Sequence, residues 1–325
     1  MESRTGFKPI AQADFLEQMQ EEIIPFLNER KEEGHLQTTG AEIYYETYLN
    51  PQEKASIVIS HGFCEFTTKF AEVIYYFYRE GYSVFILDHR GYGHSSREIS
   101  DLMKVTIRDY DDYVEDLHQF FEQVVKEKSH TQKFALYGHS MGGAIAALLL
   151  EKYPGLFQCA VLTSPMLQMN IGKYPDFLAW TLIAIMKLLG KSTAYAPGER
   201  AFVEVPEFER SCCLSKERYM RIYEERVKDQ YRQTYGATYS WVAASLKAVK
   251  KLQKNAFRVE TPILLFQAEM DTTVKARGQN RFAANTKDTK LVRIAKSKHE
   301  IYNATDEILA QYYPIIFQYF AEKLG

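Results

Sequence analysis

From residue 56 onward the chain alternates short β-branched and aliphatic runs with stretches of helical periodicity, and few topologies can absorb that rhythm. The runs are SIVIS (56–60), VFILD (84–88), KFALYG (133–138) and CAVLTS (159–164). Between them lie KFAEVIYYFYREG (69–81), DYDDYVEDLHQFFEQVVKEK (109–128) and MGGAIAALLLEKY (141–153). Strands that are apolar on both faces must be covered on both. Their alternation with helices therefore predicts an α/β fold, a mostly parallel central sheet flanked by helices. The rhythm resumes with PILLFQA (262–268) and KLVRIA (290–295), and the chain closes on a helical stretch, TDEILAQYYPIIFQYFAEKLG.

Three segments fall outside this rhythm. Residues 13–30 place Phe15, Met19, Ile23 and Phe26 at three- and four-residue steps, an amphipathic helix that Pro25 is expected to kink or end early. HLQTT and AEIYYETYL, split by Gly40, read as an antiparallel hairpin. Residues 166–245 contain an apolar stretch, a Pro/Gly loop and charged, tyrosine-rich helical stretches. They read as a helical cap inserted over the C-terminal edge of the sheet, where open α/β sheets hold their ligands. The expected division is an N-terminal helical extension (1–34), a core (35–165 and 246–325) and the cap (166–245).

Charge and cysteines exclude several classes of function. With 40 Lys+Arg against 42 Asp+Glu the formal net charge is −2, which argues against nucleic acid as a partner. Four cysteines (Cys64, Cys159, Cys212, Cys213) are too few for a disulfide framework and lack zinc-ligand spacing, so no metal or cofactor is expected. The start, MESRTGFKPI, shows no basic segment followed by an apolar one, and the chain reads as cytoplasmic. Nothing in the sequence sets an oligomeric state.

The chemistry centres on Gly138-His139-Ser140-Met141-Gly142, a G-x-S-x-G pattern. The five residues are weak evidence alone, but here a strand leads in and a small-residue helix leads out. That context holds a nucleophilic serine on a strained turn with its hydroxyl exposed. The serine needs a base, and the base an orienting acid, in chain order Ser, Asp or Glu, His. His299 is the only one of eight histidines after Ser140. The acid is expected after the preceding strand, with Asp271 preferred and Glu269 the fallback. Backbone N–H groups of Met141 and Phe63 are the expected oxyanion donors, Gly62 allowing a tight path for the SHGF loop. His61 reads as a structural support and Cys64 as a bystander.

HGF (61–63), DHRGYGHS (88–95), GHSMGG (138–143), QAEMD (267–271) and KHE (298–300) together resemble the α/β-hydrolase superfamily, in the branch of monoacylglycerol lipases and bacterial lysophospholipase L2. The resemblance runs from about residue 40 to the C-terminus and includes TYSWVAAS (238–245). It implies an α/β-hydrolase fold, a structural turn at Asp88–Ser95 and a serine esterase acting on a lipid-like ester, a lysophospholipid or a monoacylglycerol. Phe63-Cys64 departs from the small residues usual in the lipases, and the cap matches only loosely.

PDFLAWTLIAIMKLLG (175–190) has Lys187 as its only basic residue and is too short to span a bilayer. It is expected to be a buried cap helix, the wall of an acyl tunnel, or a peripheral membrane contact. As a tunnel wall it would present Trp180, Ile183 and Met186, with Trp241, Tyr231, Tyr235 and Tyr239 near the rim. A short-chain carboxylesterase, a thioesterase or a peptidase with the same residues stays open, as does a non-catalytic binding protein on a hydrolase scaffold.

Overall fold

The computed structural model describes residues 6–172 and 176–325. The start of the expected N-terminal extension and Pro175, which opens the apolar cap stretch, lie outside the described residues. The N-terminal segment is helical from residue 12 to residue 28: α1 (Phe15–Gln18) passes through a π turn (Met19–Ile23) into α2 (Ile24–Asn28). Pro25 does not end it. The wide turn shifts the apolar stripe, so Phe15, Met19, Ile23 and Leu27 are buried at strict four-residue steps. Phe26, expected in that stripe, is half-buried against Tyr75 and Tyr78 instead.

The hairpin is β1 (Lys31–Thr38) with β2 (Ala41–Tyr48), antiparallel, turning where Gly40 takes φ 83°. β1 begins before the expected boundary at 34, because its charged residues belong to an edge strand, where charge blocks further pairing. The chain then runs through β3 (Ala55–Ser60), α3 (Ala71–Arg79), β4 (Tyr82–Leu87) and the short β5 (Lys104–Val105). Next come α4 (Tyr110–Phe120), continued by a π turn into α5 (Lys126–Lys128), then β6 (Phe134–His139), α6 (Met141–Lys152) and β7 (Cys159–Thr163). From β3 to β7 the expected strands and helices sit within about two residues of these bounds.

Between β7 and the next strand of the central sheet lie α7 (Asp176–Leu188), α8 (Lys216–Lys228), β8 (Gly236–Ala237) and α9 (Tyr239–Asn255). α9 crosses the expected boundary at 245/246 unbroken, because Trp241, Ala244, Ala248 and Leu252 form one buried stripe. β9 (Ile263–Ala268), α10 (Ala276–Asn285), β10 (Thr289–Ile294) and α11 (Asp306–Leu324) complete the chain.

The central sheet has eight strands in the order β1-β2-β4-β3-β6-β7-β9-β10. The β1–β2 and β2–β4 pairs are antiparallel and the rest parallel. Successive residues feed opposite faces: Val58, Phe85 and Leu136 pack with α4, α6 and α9, while Ile57, Ile86 and Tyr137 pack with α3 and α11. Burying each such aliphatic or aromatic side chain contributes about 1.5–3 kcal/mol. This two-sided burial makes the strands read as unbroken apolar runs. The parallel strands point their C-terminal ends at one edge, and β6, β7, β9 and β10 deliver the residues that follow them to it.

Candidate active site

Ser140 stands alone between the end of β6 and the start of α6, with φ 52° and ψ −114°. A non-glycine residue in that region costs about 1–3 kcal/mol, so the surroundings must impose it. Its N–H donates to the Thr163 carbonyl at 3.1 Å, and its own carbonyl accepts from Met166 N–H at 2.8 Å and Ala144 N–H at 3.2 Å. Gly142 lets the first turn of α6 lie against the end of β3: a Cβ there would come within 2.0 Å of the Ser60 carbonyl oxygen.

His299 follows β10 and is 5% exposed. Its Nε2 lies 2.7 Å from Ser140 Oγ and its Nδ1 2.7 Å from Asp271 Oδ2. Asp271, past the end of β9, accepts the Thr273 and Val274 N–H groups on Oδ1 at 2.8 and 3.0 Å. Burial pushes its carboxyl pKa up, but the hydrogen bond and charge of His299 and these two N–H groups together hold it below the usual value. Glu269 is directed elsewhere, accepting the Lys296 N–H at 2.8 Å. Of the two acids weighed from sequence, only Asp271 meets the imidazole.

The expected oxyanion donors are Phe63, in the loop after β3, and Met141, the first residue of α6. Among the described residues neither N–H has a hydrogen-bond partner in the protein. His61 is fully buried and donates from Nδ1 to the Gly62 carbonyl at 2.8 Å while Nε2 accepts the His89 N–H at 3.0 Å. Burial outweighs the nearby Asp88 and lowers its pKa, which suits the neutral imidazole of a support. In the Asp88–Ser95 turn, Asp88 accepts the Thr67 and His94 N–H groups at 2.7 and 2.9 Å. Gly93 closes so tightly on that carboxylate that a Cβ would sit 1.9 Å from Oδ2. The Cys64 thiol donates to the Tyr235 carbonyl and burial pushes its pKa up, so it stays protonated.

A buried charge network escaped the sequence reading. Glu65 accepts the Gly62 N–H and the Tyr302 hydroxyl, and Lys69 lies 2.7 Å from Glu65 and 2.8 Å from Glu300. It ties the loop carrying Phe63 to the loop carrying His299. His139 packs beside it with its ring 5.0 Å from that of His299, and burial, opposed by Glu65, takes its pKa down to about 4. The i, i+4 pairing of Glu65 with Lys69 was the available signal.

A cavity of about 620 Å³ opens at Ser140, walled mainly by apolar residues such as Phe63, Met166, Leu178, Leu182 and Val274. Ile183, Tyr239 and Trp241 line it. Trp180 does not: it lines a separate cavity with Val249 and Gln253. Met186, Tyr231 and Tyr235 are not among the walls either. The face of α7 toward Ser140 is set by Leu178, Ala179, Leu182 and Ile183, and Trp180 falls outside that arc at 100° per residue, whereas Met186 lies one turn further along. Among the described residues Glu199 is the single charged one in the wall; it accepts the Ala237 N–H at 3.0 Å, and burial raises its pKa. On its other side α7 leaves Phe177, Ile185 and Leu188 exposed, so it is not the buried helix of the simplest expectation.

Among the described residues no group of His, Cys, Asp or Glu side chains is placed to hold a metal ion, and no helix is long and apolar enough to cross a membrane.

The family model described as serine aminopeptidase, S33, matches residues 51–306. Lysophospholipase L2 of Escherichia coli (strain K12) is 33% identical over 227 residues, which cover 70% of this chain and 66% of that protein, just under two thirds of its length. The probable lysophospholipase L2 of Haemophilus influenzae is 28% identical over 293 residues, 88% of this chain and 91% of that one. Monoacylglycerol lipase of Mycolicibacterium smegmatis is 30% identical over 170 residues, 52% of this chain and 56% of that one. A soluble variant of monoglyceride lipase from Saccharomyces cerevisiae superposes with a TM-score of 0.69 at 17% identity, covering 90% of this chain and 96% of that one. A carboxyl esterase from Bacillus coagulans gives 0.71 at 17% identity, covering 91% and 99%. At such identities the structural likeness speaks to the fold.

Proposed function

The chain belongs to the serine aminopeptidase S33 family of α/β-hydrolases, and on that premise we propose that it hydrolyses the carboxylic ester of a single-chain lipid, a lysophospholipid or a monoacylglycerol. The observation that carries this is the hydrogen-bonded line Ser140–His299–Asp271 opening onto a mainly apolar cavity of about 620 Å³. The serine oxygen attacks the ester carbonyl as His299 Nε2 takes its proton, and Nδ1–H donates to Asp271. The oxyanion of the tetrahedral intermediate accepts from the Phe63 and Met141 N–H groups, where losing one donor typically costs about 3–4 kcal/mol. Collapse breaks the bond to the alcohol, which leaves with the proton from His299, and an acyl-Ser140 ester remains. Water, deprotonated by His299, then releases the fatty acid and restores the serine.

The relatives' names support the substrate class, and the cavity supports it independently, since apolar walls favour an acyl chain over a peptide. We place the enzyme in the cytoplasm at a membrane surface. Its four free cysteines suit a reducing compartment, and the exposed apolar side of α7 suits contact with lipid.

The test is labelling by a fluorophosphonate probe, followed by turnover of p-nitrophenyl esters of increasing chain length beside both lipids. Labelling that disappears in Ser140→Ala, with kcat/KM rising toward long chains, is the expected result. Retained labelling in Ser140→Ala removes the nucleophile, and activity confined to short chains removes the lipid.

A further inference from the structure

Beside the Ser140 cavity lies a second one of about 460 Å³, and its chemistry is opposite. Arg108, Lys187 and Lys247 reach its wall from three separate segments, against one carboxylate, Glu98. Among the described residues none of the three pairs with an acidic side chain, although nearby Lys104 and Lys251 do, with Asp101 at 3.1 Å and Asp111 at 2.9 Å. Thr106 and Thr193 add hydroxyl groups. Ile183 and Tyr239 belong to both cavities, so the two share a wall.

The geometry points to a phosphate subsite: the cationic cavity takes the phosphodiester head of a lysophospholipid whose ester lies at Ser140. This rests on the ester-hydrolase reading above and narrows it to lysophospholipids. The Ser140 cavity itself disfavours such a head, because its walls are mainly apolar and Glu199, the one charged residue among its described walls, is acidic. Three unpaired cations from separate segments give an anion what the catalytic pocket denies it. A monoacylglycerol carries no anion to place there.

Two measurements test this, with lipids held below their critical micelle concentrations so that attraction to a charged surface does not enter. The first compares kcat/KM for a lysophosphatidylcholine and a monoacylglycerol of the same acyl chain. In the combined variant Arg108→Gln, Lys187→Gln, Lys247→Gln the ratio is expected to fall about tenfold or more, mainly through KM for the lysophospholipid. Lys247→Arg is expected to keep the ratio and Lys247→Glu to lower it. The second uses glycerophosphocholine and glycerol as inhibitors of p-nitrophenyl butyrate hydrolysis. The phosphodiester is expected to inhibit the unmodified enzyme more strongly than glycerol, and the combined variant to lose that difference. If both lipids are turned over and the ratio does not move, the subsite assignment falls alone. If neither lipid is turned over, the lipid reading falls and takes the subsite with it.

Discussion

The two walls of the Ser140 cavity are built in contrasting ways. On the sheet side Ser140 and His299 are 6% and 5% exposed, and each is tethered at more than one point: the serine backbone by Thr163, Ala144 and Met166, the imidazole by Asp271 and Ser140. On the cap side α7 offers the cavity Leu178, Leu182 and Ile183 while Leu188 on the same helix is 87% exposed. Bond making needs reacting atoms fixed to fractions of an ångström, and paired polar groups on rigid strand ends supply that. Holding an acyl chain needs only apolar surface, which is non-directional and tolerates movement.

Changes on the rigid side should therefore act on turnover and those on the cap side on chain-length preference. The largest expected effect is that of Asp271→Asn, a loss of about 10⁴ in kcat with the fold retained, while Glu269→Gln stays within about twofold. Steady-state kinetics on a soluble ester separates the two, and a larger loss from the glutamate change would overturn the assignment of the acid.

Lys69→Met comes next. It leaves the buried Glu65 and the partly buried Glu300 without their cation and is expected to destabilise the protein by about 3–5 kcal/mol in urea unfolding. It should also slow turnover by loosening the loops of Phe63 and His299 together. Unchanged stability would mean that the network is not buried in solution.

A third effect, on stability alone, concerns pH. Burial depresses the pKa values of His61 and His89 and takes that of His139 to about 4, against about 6.5 for a free imidazole. The unfolded chain therefore binds protons that the folded one refuses. Stability is highest above about pH 6.5 and declines as the pH falls toward 4, by up to about 1.4 kcal/mol per pH unit for each imidazole. Urea midpoints at pH 7, 6 and 5 check this, and a flat profile would contradict the burial of all three rings.

The smallest effect belongs to the cap. Leu182→Asp should lower the ratio of long-chain to short-chain kcat/KM by about tenfold through lost apolar contact, with the acyl series as the readout. An equal loss on every chain length would erase the contrast between the two walls.

The core strands were legible because each is buried on both faces, so its apolar run survives almost to the residue. The serine turn was legible for a steric reason: only a residue as small as Gly142 tolerates the approach of α6 to Ser60. β1 reads in part as extension because its charged residues sit on an edge strand, and α10 is hard to see in the sequence because its ten residues carry one large apolar side chain, Phe282. The tunnel residues were the weakest reading. α7 is apolar almost all round, so spacing could not say which of Trp180, Ile183 and Met186 would face Ser140.

Alternating apolar runs, one strained serine between small residues and a single downstream histidine were enough to specify the sheet and the edge at which Ser140 and His299 meet, since each depends on local sterics and chain order. The choice of Asp271 over Glu269, the tie from Lys69 to both loops and the face of α7 toward the cavity depend on distances between segments far apart in the chain. Such distances are settled by packing, and packing is a property of the folded whole.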